Sequence, residues 1–328
     1  MTIQLDPNKL YHGIYPGGMT GEEDDITPHL VDEYEDTVRR RVAWIYFSHN
    51  WYKGHTFPRT TVDWILARGR LPFIRLMLRS TNENPRPEPQ YTLEAINNGH
   101  FDQDLRAWGA AARDYSSDLI VEWGTEMNGD WFAWNAKWNG KSLGPKQFQD
   151  AFQRIVRLIR DDSGAHNTTW VFHANDTDEP TNDWNKMENY YPGDAYVDWL
   201  GLSVYGAQEP KKNELCLPFA PRMKEMYDRL RTLSPGKPVF LLEFGATAGH
   251  PKAVSNPQCK PDVWADAALR EMIVNSTYPE LRGFSWWNER WENKNGSWTD
   301  MRVQATPALR DIFRQHLVDN QRIIDRPL

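Results

Sequence analysis

At 328 residues the chain is long enough to bury a large core, and α/β barrels of this size commonly form one domain. Lys and Arg total 38 against 45 Asp and Glu, a net charge of −7 with both signs interspersed; no basic stripe is present, which argues against a nucleic-acid partner. No run reaches the roughly 18 apolar residues of a membrane span, and the opening MTIQLDPNKL has no basic-then-apolar leader. The compartment therefore stays unassigned, with secretion or a periplasmic location expected if a leader once preceded this sequence.

In chain order, the first short apolar run covers residues 11–15 and is closed by Pro-Gly-Gly. Residues 42–47 (VAWIYF), 72–78 (PFIRLML) and 119–123 (LIVEW) follow, then 169–173 (TWVFH), 199–205 (WLGLSVY), 239–243 (VFLLE) and 283–287 (GFSWW). These runs are β-branched or aromatic, of strand length, and bounded by turn residues. Between them lie segments of helical spacing over 102–115, 145–161, 220–233, 262–275 and 306–317. In 145–161, Phe148, Phe152, Ile155 and Ile159 fall on one face, behind a Pro start and ahead of a Ser-Gly stop. About eight strand–helix units with nearly continuous apolar strands predict an α/β fold, a closed (β/α)8 TIM barrel, as a single domain over residues 1–328. A doubly wound open sheet is disfavoured because its glycine-rich phosphate turn is missing after the first strand.

Barrel active sites sit at the C-terminal ends of the strands. The residues just past each run are therefore the candidates: His12, His49 with Trp51, Arg79, Glu126, His173 with Asn175, Tyr205, Glu243 and the stretch 286–289. Glu126 follows the fourth run and Glu243 ends the seventh. A barrel brings both to one mouth, as glycoside cleavage requires: one carboxyl protonates the departing oxygen, the other attacks the anomeric carbon or activates water. Strand alternation puts Glu122 on the opposite side of its strand. Glycine ends the pleat before Glu126, so phase alone does not place it. The chain holds 16 Trp, many in polar, Gly- and Asn-rich contexts, where flat indoles with a polar rim suit the C–H faces of sugars. Trp51, Trp131, Trp134 and one of Trp286 and Trp287 are expected sugar platforms; the other of that last pair packs against helices. Tyr205 is either a core tyrosine or a donor to Glu243 that helps keep it ionised.

His12, His49 and His173 raise a metal-hydrolase alternative, but no His-x-His pair on one strand supports it, and a polar histidine orienting sugar or carboxylate is the preferred reading. Cys216 and Cys259 match no metal or redox spacing; one disulfide and two unrelated thiols both remain open.

The segment EMNGDWFAW, from Glu126 to Trp134, resembles the acid/base segment of glycoside hydrolase family 26. Gly13-Ile-Tyr-Pro-Gly-Gly is similar to that family's opening strand, Leu-Glu243-Phe-Gly to its nucleophile segment, and Tyr205 to its tyrosine beside the nucleophile. The resemblance implies a retaining, endo-acting enzyme without metal or organic cofactor, with Glu126 as general acid/base and Glu243 as nucleophile. Its substrate would be a β-linked poly- or oligosaccharide, β-1,4-mannan first, with mixed-linkage glucan and xylan as alternatives. Asn128, Trp131, Trp134, His173, Tyr205, Trp51, Trp286 and Trp287 would hold the sugar. One departure stands out: the residue before the acid/base is Thr125 where the family usually has histidine, so a sugar contact is lost or is rebuilt through His173 or Asn128. A sugar-binding barrel that has lost catalysis is the reading from another class.

Overall fold

Eight parallel strands form at the eight apolar runs, with ends shifted by up to a few residues. The computed structural model describes residues 3–18 and 20–324. The strands are β1 (Leu10–Tyr15), β2 (Trp44–Asn50), β3 (Leu71–Met77), β4 (Leu119–Trp123), β5 (Thr168–Asn175), β6 (Trp199–Tyr205), β7 (Val239–Gly245) and β8 (Leu281–Trp287). They pair in chain order, and β8 returns to β1, with Tyr11 opposite Gly283 and Tyr15 opposite Trp287. The barrel is closed, as the alternation of strand and helix predicts.

The helices are α1 (Pro28–Val38), α2 (Arg59–Ala67), α3 (Leu93–Asn97), α4 (Asp102–Arg113), α5 (Gly144–Val156), α6 (Phe219–Leu233), α7 (Pro261–Leu269) and α8 (Pro307–Leu317). Their starts are written locally. Thr27 and Thr306 accept backbone N–H groups of Leu30 and Leu309 at 3.3 and 3.1 Å, each ahead of a proline suited to the first turn. The segment predicted as one helix over 145–161 is α5 followed by a wider π-type turn, Arg157–Asp162. One unit departs from the expected repeat: among the described residues, β5 and β6 are joined by 3-10 turns, Asp183–Asn185 and Met187–Tyr190, without an α-helix.

Inside the barrel, Trp199 stacks on Phe240 at 3.9 Å between ring centres, and Trp44 meets both. Such buried aromatics contribute on the order of 2–3 kcal/mol each. At the other end, past β8, a hairpin of β9 (Arg290–Glu292) and β10 (Trp298–Asp300) rises beside the mouth. A further short strand, β11 (Ile323–Ile324), pairs with the start of β1. Cys216, after β6, is bonded to Cys259, after β7, so of the two readings left open the disulfide is the one realised.

Candidate active site

Glu126 reaches the mouth because the chain leaves β4 through a left-handed turn. Gly124 has φ +71° and Glu126 itself φ +48°, a conformation that costs a non-glycine residue about 1 kcal/mol or more. Backbone bonds offset this: Glu126 donates to the His173 carbonyl at 2.7 Å and accepts from Gly129 at 2.8 Å. A Cβ on Gly124 would lie 2.4 Å from Phe148, so glycine is required there for space as well as for φ. The Glu126 carboxylate accepts a hydrogen bond from Trp131 Nε1 at 2.6 Å.

Glu243 is re-aimed by a different device. Leu202 pairs with Leu241 but Ser203 with Glu243, the mark of a bulge at Leu242, and bulges turn side chains beside active sites. Tyr205 donates to Glu243 Oε2 at 2.8 Å, and Arg75 Nη2 donates to its other oxygen. Burial raises the Glu243 pKa, Arg75 opposes that, and the net direction is upward, with the Glu126 charge adding to it.

Beneath Glu243 lies a charged layer that the sequence reading did not anticipate. Arg75 on β3 donates to Glu122 at 2.7 Å and to Glu23 at 2.9 Å as well as to Glu243. Arg75 and Glu122 are register partners on neighbouring strands. Glu122 also accepts from the Tyr46 hydroxyl and meets His173 Nδ1 at 2.8 Å. Burial opposes its charge, but His173 and Arg75 outweigh that and hold Glu122 below the usual carboxylate range. His173 is correspondingly raised by Glu122 against its own burial. Glu122 therefore enters the barrel interior, contrary to the expectation that strand alternation sets it on the opposite side, because it is buried with its register partner Arg75. Glu126, four residues on, reaches the mouth above it through the turn at Gly124. The signal was present in the sequence: one charged residue inside each of two successive apolar runs, which can be buried only as a pair.

The two glutamates open into one cleft of about 650 Å³ at the C-terminal mouth. Of the expected contacts, Trp131, Tyr205 and Trp287 line it with them. Trp287 packs on Tyr15 at 4.0 Å, while Trp286 turns outward onto Phe244 and Phe313 and donates to the Met301 carbonyl. The alternation of successive strand residues thus selects Trp287. Trp51 is buried and stacked on His55 outside the cleft. Trp134 is buried against Phe132, its N–H donated to the Thr125 carbonyl. Asn128 is also a structural residue: its amide donates to Asn175 and Thr177 carbonyls and to Asp178, and accepts from the Asn175 N–H. It thus satisfies backbone groups at the end of β5, while Asn135 and Asn185 donate to the Met127 and Asn128 carbonyls of the loop after β4. His173 lies below the cleft, held by Glu122, by Thr125 Oγ1 at 3.1 Å and by Ser203 at 2.9 Å. Thr125 itself is buried, so neither rebuilds the family's histidine contact at the cleft surface.

The three histidines are not brought together. His12 meets Tyr34 on α1, His49 accepts from Trp108 on α4, and His173 faces inward. Burial pushes His12 down to about 3 and His49 to about 4, as expected for neutral core histidines. Sequence reasoning passed over Arg75, Glu23, Asp176, Arg222 and Trp291, all of which line the cleft. Asp176 pairs with Arg222, yet its burial raises it to about 6. Arg75 lies inside β3, Glu23 in the loop after β1, Arg222 on α6 and Trp291 in the short β9, none of them at the end of an expected strand. Asp176 follows β5 directly, but β5 runs two residues past the end read from the sequence.

Residues 118–218 match the family model described as Glycosyl hydrolase family 26. The chain is 23% identical to Endoglucanase H of Acetivibrio thermocellus over 288 residues, covering 87% of this chain and 28% of that protein. It is 27% identical to a mannan endo-1,4-beta-mannosidase of Bacillus subtilis over 180 residues, or 52% of this chain and 40% of that one. The chain thus spans about half or less of the length of these curated relatives. Its fold is similar to a β-mannanase from a symbiotic protist of the termite Reticulitermes speratus, solved with gluco-manno-oligosaccharide. That likeness has a TM-score of 0.63 at 15% identity, covering 98% of this chain and 91% of the other. The resemblance read from the residues around Glu126 is borne out: this barrel is similar to glycosyl hydrolase family 26, whose model it matches across the β4-to-β6 region.

Proposed function

We propose that the chain is a retaining glycoside hydrolase that cuts a β-linked polysaccharide internally, β-1,4-mannan first. The observation that carries this reading is the pair Glu126 and Glu243 opening into one cleft, each with its own hydrogen-bond donor. In the first step the Glu243 carboxylate attacks the anomeric carbon while Glu126 gives its proton to the leaving oxygen. In the second, Glu126 takes a proton from water, which attacks the glycosyl–Glu243 ester and frees the sugar with its configuration retained. Arg75 and Tyr205 position and stabilise Glu243 as the anion. Trp131 and Trp287 offer flat faces to sugar rings.

Glu243→Ala is expected to lose turnover on a panel of polysaccharides, and added azide is expected to restore it as a glycosyl azide of inverted configuration. Undiminished hydrolysis by that variant would overturn the assignment. A β-glucan is the second reading for the substrate. It is supported by the similarity to an endoglucanase and by Thr125, which is buried against His173 and does not line the cleft. Product analysis on mannan and mixed-linkage glucan separates the two. Among the described residues no helix is long and apolar enough to cross a membrane. The Cys216–Cys259 disulfide supports work outside a reducing compartment.

A further inference from the structure

One end of the cleft, where β8 meets β1, carries a carboxyl group that the double displacement does not use. Glu289 lies just past Trp287, is 5% exposed and lines the cleft. Trp287 Nε1 donates to its Oε2 at 3.0 Å, and the Tyr15 hydroxyl contacts Oε1 at 3.3 Å. Glu23 and Asp25, on the loop between β1 and α1, act on it with like charge. Glu292 and Trp291 line the same cleft from the β9–β10 hairpin.

The nearby cations are engaged elsewhere. Arg75 lies over the Trp287 ring at 5.6 Å and is bonded to Glu23, Glu122 and Glu243. Arg302 is paired with Asp300 at 2.7 Å, and Arg290 rests on Trp298.

We propose that Glu289 is a sugar-binding residue that presents a carboxylic O–H to a hydroxyl of an uncharged sugar unit lying against Trp287 and Trp291. This rests on the glycoside reading above and specifies one end of its site. An ionised Glu289 could only accept hydrogen bonds and would put a second negative charge beside Glu23. A neutral acid still accepts from the Trp287 N–H and the Tyr15 hydroxyl and adds an O–H donor of its own. Burial, then Glu23, outweigh the hydrogen bonds from Trp287 and Tyr15 and push Glu289 up to about 8, which favours the neutral form at neutral pH. A sugar acid entering here would meet Glu23 and Glu292 on the cleft wall, while the nearby cations among the described residues are already paired, so this end selects neutral units.

The test is a titration of manno- and cello-oligosaccharides, read by tryptophan fluorescence, between pH 7 and pH 9. That window lies above the titration of Asp176 at about 6. Circular dichroism at each pH confirms the fold. The wild-type chain is expected to lose about tenfold in affinity across the window as Glu289 ionises. Glu289→Gln, whose amide keeps an N–H, is expected to hold its affinity within about twofold. Glu289→Ala is expected to bind weakly throughout. Equal pH dependence in wild type and Glu289→Gln, or wild-type affinity in Glu289→Ala, overturns the inference. If hydrolysis persists alongside such a result, the glycosidase reading stands without it. A wild-type chain that neither binds nor cleaves a neutral glycan overturns both.

Discussion

Tyr205 and Arg75 divide the work of preparing Glu243. The Tyr205 hydroxyl donates to one carboxylate oxygen and the Arg75 guanidinium to the other, so each favours the anion that the proposed double displacement requires. Tyr205→Phe removes a donor to a charged group, worth about 1.5–3 kcal/mol. The expected result is a fall in kcat of about ten- to a hundredfold with KM little changed. The acid limb of the pH–rate profile should move to higher pH, because the anion loses support; an unmoved limb would mean that Tyr205 is only packing. Arg75→Met leaves buried Glu243 without its cation and Glu122 with His173 alone, a loss of about 3–5 kcal/mol for a buried charge left unpaired. Urea unfolding is the measurement, and a midpoint equal to wild type would contradict it. Arg75 also shows why part of the site was hard to read. Within PFIRLML it looks like an interruption in a strand, and only the register with Glu122 on the next strand makes it the centre of a charged layer.

At the level of elements, the strands were legible and the walls were not. Strand positions follow from continuous apolar runs, which parallel barrel strands need on both faces. The β9–β10 hairpin has only three residues a side and is partly exposed, so it carries no apolar run, yet it brings Trp291 to the cleft. Where a regular strand–helix repeat would place a helix between β5 and β6, the described residues form turns whose buried Asn185 donates to the Asn128 carbonyl. The same amide network explains why Asn128, though beside the acid, serves the backbone and not sugar. The turn after β4 is the element most exposed to a single change. Gly124→Ala meets both a positive φ and the Phe148 ring, and is expected to lower stability by at least 1 kcal/mol. It should also cut kcat by displacing Glu126, read by unfolding and turnover on the same preparation. The disulfide joins the loops after β6 and β7 across 43 residues. Loop-closure entropy for that length gives about 4 kcal/mol, so replacing both cysteines by serine should lower the denaturant midpoint, most visibly without substrate.

Over the whole molecule, the cleft carboxylates shape the pH dependence of folding. Glu289 is raised to about 8 and Asp176 to about 6 by burial, so the folded state holds protons that the unfolded chain has released. Their contribution to stability is full below the ordinary carboxylate range, and it is lost as pH rises through these values. Thermal unfolding should therefore occur at lower temperature at pH 9 than at pH 7, and Glu289→Gln should flatten that fall. A wild-type Tm independent of pH across this range would refute the assignment of Glu289 as a proton holder.

The guanidinium of Arg75 gathers carboxylates from the loop after β1, from β4 and from β7. Its partners span residues 23 to 243, so no contiguous half of the chain can assemble the surroundings of Glu243, the proposed nucleophile. Turnover thereby becomes a reporter of barrel closure. During refolding, activity should return no earlier than the slowest spectroscopic phase, and co-expressed halves should be active only where they dock edge to edge.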